Sequence, residues 1–346
     1  MRDTAMNLLF SCIGKRGYIA DFFREHLSSG NRIVGTSNTP WTPGFCHCDK
    51  SYVLPDIASQ AYIPAVKEVC HREAITAIFS FFDPDVALLS QHRQEFLDIG
   101  VLPVMPLADV ADMCFDKLKT FHFLQKHDLK TARTYASLKD AVEALQRRDI
   151  EYPLYVKPRS GFGSRSTLLA RNDCELEAFF QIEEQMLIQE CLTGTAFDFD
   201  LLCDLEGNVI SVVVWEKMLS RQGETERAVT RRIPQLIEFG VHLGTLVGNV
   251  GPLDVDLFVQ DGQIYVLELN PRFGGGYPVS HLAGADFPRY LLQMIRGEKV
   301  IPDIGCYDDG VAMMKDLRIV GGAKTCLFHD LGVDSSLADD CEDTQS

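Results

Sequence analysis

The stretch GPLDVDLFVQDGQIYVLELNPR, residues 251 to 272, decides the reading of this chain. It reads as two strands that turn back near Asp261-Gly262, and each arm alternates. Residues two apart on a strand share a face, so Asp254 and Asp256 point one way, as do Glu268 and Asn270. Val255, Leu257, Leu267 and Leu269 then take the other, half-buried face. Register decides whether the two polar pairs meet. A two-residue turn at Asp261-Gly262 sets Gln260 against Gln263 and leaves Asp256 and Glu268 on opposite faces. A three-residue loop with Gly262 in a left-handed conformation shifts the pairing by one. It puts Asp256 opposite Glu268 and Asp254 opposite Asn270. The expectation is this second register, with an odd number of loop residues. Facing carboxylates repel unless a cation lies between them. An all-oxygen set suits magnesium or manganese. The plainer alternative is a strand pair with a polar solvent face.

Beyond Asn270 come Pro271-Arg272, Phe273 and the run Gly274-Gly275-Gly276. A guanidinium beside a metal cluster can spread charge over phosphate oxygens, and glycines let backbone amides approach an anion closely. Here the sequence resembles the ATP-grasp superfamily. Its metal-binding end carries an acidic residue on one strand and Glu-x-Asn-x-Arg on the next, and Asp256, Glu268, Asn270 and Arg272 match that pattern. The resemblance implies Mg2+ or Mn2+ at Asp256, Glu268 and Asn270, ATP as nucleotide, and a catalytic role for Arg272. Asp254 has no family role.

The remaining segments follow the same resemblance. Cys114-Phe115-Asp116-Lys117 opens an amphipathic segment with Phe121 and Leu124 on one stripe, and Lys117 stands where the family reaches the nucleotide phosphates. Alone, a lysine in a first helical turn reads as a solvated surface residue. Tyr152 to Pro158 reads as a buried strand ending at Lys157, the counterpart of the second nucleotide lysine, with Pro158 closing the ladder. Arg159 to Arg165 follows as the glycine-rich lid, with Ser160, Gly161, Gly163 and Ser164 toward the phosphates; without that context it is an ordinary flexible linker. Met186 to Gly194 fits the strand leading into the adenine hinge. By alignment, Gln189 and Glu190 lie by the exocyclic amine, and the backbone of Leu192 reads the ring edge. The ribose position departs from the family: Ala196 stands where an acidic residue is usual, and nearby Asp198 sits on the alternating strand Asp198-Phe199-Asp200. Downstream of the strand Val209 to Trp215, Lys217 is the first candidate for a cation on the γ-phosphate and Arg221 the second. A mobile charged surface loop is the competing reading.

The first hundred residues alternate strand and helix: Asn7–Ile13, Ile19–Leu27, Ile33–Thr36, Ile75–Phe81 and Val101–Val104. Such alternation implies a parallel sheet with helical crossovers. Gly14-Lys15-Arg16-Gly17 follows the first strand, where such folds bind ligands. It lacks the spaced glycines of a dinucleotide site, which excludes a dehydrogenase of that kind. Phe82-Asp83-Pro84-Asp85 lies at the same sheet edge, where it is a candidate to touch a substrate or to cap a helix at Pro84, and the cap is the expectation. The expected fold class is α/β and α+β. A Rossmann-like pre-ATP-grasp domain (1–112) precedes a two-lobed ATP-grasp domain (113–322), whose lid lobe spans about 120–190. An extension (323–346) ends in an acidic, disordered tail from Ser335.

The chain has 346 residues, is 46% hydrophobic and carries a net charge of -16, which argues against a nucleic-acid surface. No apolar run reaches membrane-spanning length, and the N-terminus lacks a signal-peptide pattern. The 11 cysteines are scattered, as expected of reduced thiols in a cytoplasmic protein. Cys46-His47-Cys48-Asp49 invites a zinc reading, but no second ligand pair with metal-site spacing follows. In the family the acceptor is normally a carboxylate, activated as an acyl phosphate and captured by an amine. The stretch LELNPRFGGGYP most resembles carbamoyl-phosphate-synthase-like single-unit proteins. Carbamoyl phosphate synthesis needs two such units, so the expectation is a carboxylate–amine ligase with small-molecule substrates. A homodimer is left open. The rivals are a kinase-like or carboxylating enzyme on a small metabolite, and a non-catalytic Mg-ATP-binding module.

Overall fold

The computed structural model describes residues 6–161, 166–221, 223–321 and 331–338. In chain order the first elements are β1 (Asn7–Ser11), α1 (Tyr18–Arg24), β2 (Ile33–Ser37), β3 (Lys50–Val53), α2 (Tyr62–Arg72), β4 (Ile75–Ser80), α3 (Asp83–Gln91), α4 (Arg93–Asp98) and β5 (Leu102–Pro103). Two short helices follow, α5 (Ala108–Phe115) and α6 (Lys117–Lys126). The middle of the chain holds β6 (Thr134–Tyr135), α7 (Leu138–Gln146), β7 (Leu154–Pro158), β8 (Leu168–Ala170), α8 (Asp173–Phe180) and β9 (Met186–Glu190). Then come β10 (Thr195–Cys203), β11 (Val209–Arg221), β12 (Glu224–Thr230), α9 (Pro234–Val247), β13 (Gly251–Gln260) and β14 (Gln263–Asn270). The last are α10 (Tyr277–Leu282), α11 (Phe287–Ile295), β15 (Ala312–Met314) and β16 (Val333–Asp334).

These strands form three sheets. The first, parallel, runs β16-β3-β2-β1-β4-β5. Every residue of β1 is buried, as a central parallel strand covered on both faces requires. Phe10 packs edge-on against Phe23 and Phe79 on one side, while Leu9 joins Val66 and Val69 of α2 on the other. β16 brings the chain's last described segment back beside β3, and Leu337 packs on the same core as Leu9. The tail expected to be disordered from Ser335 is therefore ordered through Ala338, because its apolar Leu337 finds a buried partner surface.

The second sheet, β6-β9-β7-β8, is antiparallel. Leu154, Val156 and Ile188 face a small core shared with Ala141 and Ala144 of α7 and Leu176 of α8. The period of two sends Tyr155 and Lys157 to the opposite face, and Tyr155 pairs with Gln189 there.

The third sheet, β14-β13-β10-β11-β12-β15, carries the decisive hairpin. One face packs Phe199, Leu201, Val212 and Val255 against Leu236 and Leu243 of α9. The expected pairing is present: Asp256 lies opposite Glu268 and Asp254 opposite Asn270. The expected cause is not. Gln260 pairs with Gln263, so the turn has two residues, with Asp261 at φ 51° and Gly262 at φ 71°. Two successive positive φ values are those of a tight hairpin turn matched to strand twist. The missing shift comes from a β-bulge. Asp256 pairs with Glu268 but Leu257 with Val266, which leaves Leu267 as the extra residue. A consequence follows for the core: Val266, not Leu267, is fully buried with Leu257 and Leu269.

Two smaller corrections bear on the site. β11 runs on through Lys217 to Arg221 rather than stopping at Trp215. Pro84 does sit in the first turn of α3, but Asp83 makes no cap and its carboxylate points elsewhere. At Cys46-His47-Cys48, His47 bonds Asp21 at 2.7 Å, and no metal-holding group of three His, Cys, Asp or Glu exists among the described residues.

Candidate functional site

Cross-strand register gathers one set of side chains. Asp198 pairs with Asp256 and with Trp215, Asp200 pairs with Asp254, and the hairpin adds Glu268 and Asn270. Residues opposite each other in an antiparallel sheet share a face. Four carboxylates of β10 and β13 thus crowd together, and charge balance comes from cations delivered by other elements. Lys217 of β11 bonds Asp198 at 2.7 Å and also bonds Asp256. Burial opposes its charge, but the two carboxylates outweigh that and hold the ammonium well above the usual lysine range. Asp256 responds in kind: burial raises its pKa, Lys217 offsets the rise, and the net shift is downward.

Arg272 is fixed on the far side of Asp254. Its NH1 donates to Asp254 Oδ2 at 2.9 Å and its Nε to Asp83 Oδ1 at 3.0 Å. Its side chain is only 10% exposed, and the pair of carboxylates outweighs burial in keeping it charged. Asn270 Nδ2 donates to Asp256 at 3.2 Å, tying the arms together. Asp200, bonded by Trp215 Nε1 at 2.8 Å and Ser280 Oγ, is pushed up to about 7 by burial and by Asp254. Asp254 is pushed up to about 6 by burial, against the pull of Arg272. Gly274 belongs here for a spatial reason: a Cβ would stand 2.5 Å from Asp254 Oδ1.

Lys117 reaches the cluster from α6. Asp116 caps that helix by accepting from Leu118 and Lys119 backbone amides, and is itself held by Arg159 at 2.7–2.9 Å. With its base so fixed, Lys117 Nζ lies 3.0 Å from Glu268 Oε1 and donates to Gly161 O at 3.0 Å. Lys157 extends from the exposed face of β7 toward the same charges. It makes no hydrogen bond or ion pair among the described residues, and burial lowers its pKa, with Glu268 acting against that. Ser160 bridges Asp116 beside it. Gly163 and Ser164 lie outside the described residues.

At the end of β9, Gln189 is buried and donates to Thr134 Oγ1 at 2.9 Å, while Glu190 accepts from Arg133 N at 2.8 Å. Leu192 lines a separate cleft of about 370 Å³ with Glu190 and Tyr265. Ala196 lines another, of about 390 Å³, beside Lys217, Asp256 and Phe258. The structure thus converges Lys117, Lys157, Lys217, Arg272, Asp198, Asp256, Glu268 and Asn270. It does not bring Arg221 there: that side chain is 70% exposed and pairs with Glu226 on its own hairpin at 3.4 Å. Asp200 and Glu224 were missed by sequence reasoning, and Asp83 was expected in a capping loop rather than as a partner of Arg272. For Asp200 the signal was available, since it alternates with Asp198 on the strand that pairs with β13. Asp83 and Glu224 carried none, because their partners are remote in sequence.

The oxygen donors fit a divalent cation. Asp256 and Glu268 face each other, and each already carries an ammonium, so positive charge is what their placement demands. Two carboxylates and an amide are too few to enclose a metal alone. Magnesium is commonly held in that way, by one or two carboxylates plus phosphates and water.

Residues 114–276 match the ATP-grasp domain family, and residues 8–104 match the PylC-like N-terminal domain family. The chain is 21% identical over 299 residues to the arginine-specific carbamoyl phosphate synthase large chain of Geobacillus stearothermophilus. It is 24% identical over 287 residues to the carbamoyl phosphate synthase large chain of Agathobacter rectalis. The matches cover 82% and 75% of this chain but only 28% and 26% of those relatives. Among solved structures, the biotin carboxylase domain of Hydrogenobacter thermophilus 2-oxoglutarate carboxylase, in complex with MgADP, ADP and bicarbonate, superposes with TM-score 0.69 at 17% identity. That match covers 88% of this chain and 73% of the other. The L-amino acid ligase of Bacillus licheniformis superposes with TM-score 0.63 at 20% identity, over 84% and 74%. These likenesses establish the ATP-grasp fold: a parallel-sheet domain followed by antiparallel lobes. No helix among the described residues is long and apolar enough to cross a membrane.

Proposed function

We propose that the protein is an ATP-dependent carboxylate–amine ligase that works through an acyl phosphate and releases ADP and phosphate. The observation that carries this is the meeting of three lysines and one arginine with Asp256, Glu268 and Asn270. They come from α6, β7, β11 and the hairpin end, and converge on one face. In this reading Lys117, Lys157 and the loop from Ser160 to Ser164 hold the ATP phosphates, and Gln189, Glu190 and Leu192 frame the adenine. Asp256, Glu268 and Asn270 would hold Mg2+ or Mn2+, which when bound neutralises charge on the phosphate oxygens. The division at residues 112/113 then separates the N-terminal domain from the nucleotide lobes.

The chemistry needs position and charge rather than a protein nucleophile. An acceptor carboxylate oxygen attacks the γ-phosphorus, the bond to the β-bridging oxygen breaks, and ADP leaves. An amine nitrogen then attacks the acyl carbon, loses a proton and expels phosphate. Lys217, paired with Asp256, and Arg272, paired with Asp254, would offset charge on the moving phosphoryl group. Asp198 would take the ribose contact only by giving up Lys217, which now occupies its carboxylate. A panel of acids and amines, with the acid labelled by oxygen-18, tests the proposal. One label should appear in the released phosphate, and ADP release should require the acid. ADP release without label transfer would instead favour phosphoryl transfer to a hydroxyl or a non-acyl route.

A further inference from the structure

The loop after β1 contributes a second arginine to the region of Arg272. Arg16 NH1 donates to Phe273 O at 2.8 Å, and Arg272 NH1 donates to the same oxygen at 3.1 Å. The two guanidinium groups are therefore separated by no more than those two bonds laid end to end. They come from segments remote in sequence and would repel without anions nearby. Arg16 NH2 bonds Glu224 Oε1 at 3.2 Å, and Lys315 Nζ bonds Glu224 Oε2 at 3.1 Å. Two cations thus share one carboxylate and leave a net positive charge. Arg16 is well enclosed, with 16% of its side chain exposed, whereas Glu224 is half exposed.

Tyr18, two residues on from Arg16, supplies the independent observation. Its hydroxyl is buried and has no hydrogen-bond partner among the described residues. Arg16, Glu224, Arg272 and Asp200 all lie close enough to act on that hydroxyl electrostatically. A buried hydroxyl without a partner is costly unless a ligand completes it. Paired guanidinium groups and a free phenolic donor are the usual means of reading a carboxylate.

We propose that Arg16, with Tyr18 and Lys315, forms a subsite beside Arg272 that binds a second carboxylate of the acceptor, so that the preferred acceptor is a small dicarboxylic acid. Glu224 takes the place of that carboxylate when no acceptor is bound. The inference rests on the ligase reading only for the meaning of "acceptor"; the subsite itself is a binding property.

The test is a titration of the full chain, saturated with Mg2+ and a non-hydrolysable ATP analogue, with glutarate and with butyrate. Glutarate should bind at least tenfold more tightly than butyrate. R16Q should erase that gap by weakening glutarate alone, with the nucleotide-induced rise in Tm serving as the check on folding. E224Q should tighten glutarate several-fold, because it frees both cations. Equal affinities in the parent protein, no binding of either acid, or a gap that survives R16Q would overturn the proposal, as would weaker glutarate binding in E224Q. With ATP in place of the analogue and an amine present, Arg16-dependent glutarate binding without ADP release would sink the ligase reading and leave the subsite standing. ADP release driven by monocarboxylates alone would do the reverse.

Discussion

Asp83 and Arg272 join the two halves of the molecule: the first residue of α3 accepts from Arg272 Nε at 3.0 Å across 189 positions of sequence. Asp254 takes the other end of the guanidinium at 2.9 Å, so a carboxylate of the N-terminal sheet edge fixes an arginine at the end of the β13–β14 hairpin. Removing Asp83 leaves part of an enclosed guanidinium unbonded while Asp254 still balances its charge, which costs about 1–3 kcal/mol. Asp83→Ala should therefore lower stability by about that amount in urea unfolding. Asp83→Asn, which keeps an acceptor, should cost less. An unchanged midpoint in both variants would show that the pair does not couple the domains.

Lys117→Met and Lys157→Met should part company in stability while both weakening Mg-ATP binding. Lys157 is buried against its charge without a hydrogen-bond partner among the described residues, so an apolar replacement of similar length should hold or raise Tm. Lys117→Met leaves Glu268 unpaired and should lower Tm slightly. Thermal melts with calorimetric Mg-ATP titration separate the two effects. Undiminished affinity in both variants would remove these lysines from the nucleotide site.

The hairpin shows what was and was not legible in the sequence. Alternation put Asp254 with Asp256 and Glu268 with Asn270, because a half-buried sheet strongly fixes which face each residue takes, and the meeting of the two pairs followed only from the expected register. The means of pairing was invisible. A bulge at Leu267 leaves no mark in an apolar run, and Asp261-Gly262 proved to be the tight two-residue turn that its residue types favour. Lys117 and Lys157 could be placed because a helix start and a strand end position them locally. Arg16, Asp83 and Glu224 could not, since their relations arise only when the N-terminal sheet docks on the third sheet. The path of Val333–Asp334 back to β3 was hidden for the same reason.

Gly262 lies at φ 71°, and a Cβ added there would meet nothing within 4 Å, so its replacement by Ala tests backbone strain alone. Gly262→Ala should cost about 1 kcal/mol. Gly274→Ala should cost more, because its Cβ would meet Asp254 Oδ1 at 2.5 Å. Equal effects would mean that the loop after Arg272 can shift away from Asp254.

His281 gives the protein a pH dependence of known sign. It stacks on Phe22 of α1 at 3.9 Å between centroids, and burial pushes its pKa below the usual 6.5, with Asp286 and Glu25 acting against that. The unfolded chain then binds the proton more readily than the folded one, so stability should fall as pH drops through 6.5 toward the lower folded value. His281→Gln should flatten that slope in urea midpoints measured from pH 7.5 to 5.5. A parallel slope in both proteins would assign the dependence to other groups.

Metal-dependent use of ATP rests on Asp256, Glu268 and Asn270 in the function proposed above. The Glu268–Lys117 pair is partly exposed, so Glu268→Gln should change stability by less than about 1 kcal/mol. The most direct measurement is ADP release at ordinary magnesium by the parent and by Glu268→Gln, across the same acids and amines. The expected result is acid-dependent release by the parent and a loss of at least a hundredfold in the variant. Parental turnover in Glu268→Gln would contradict the role given to these three residues.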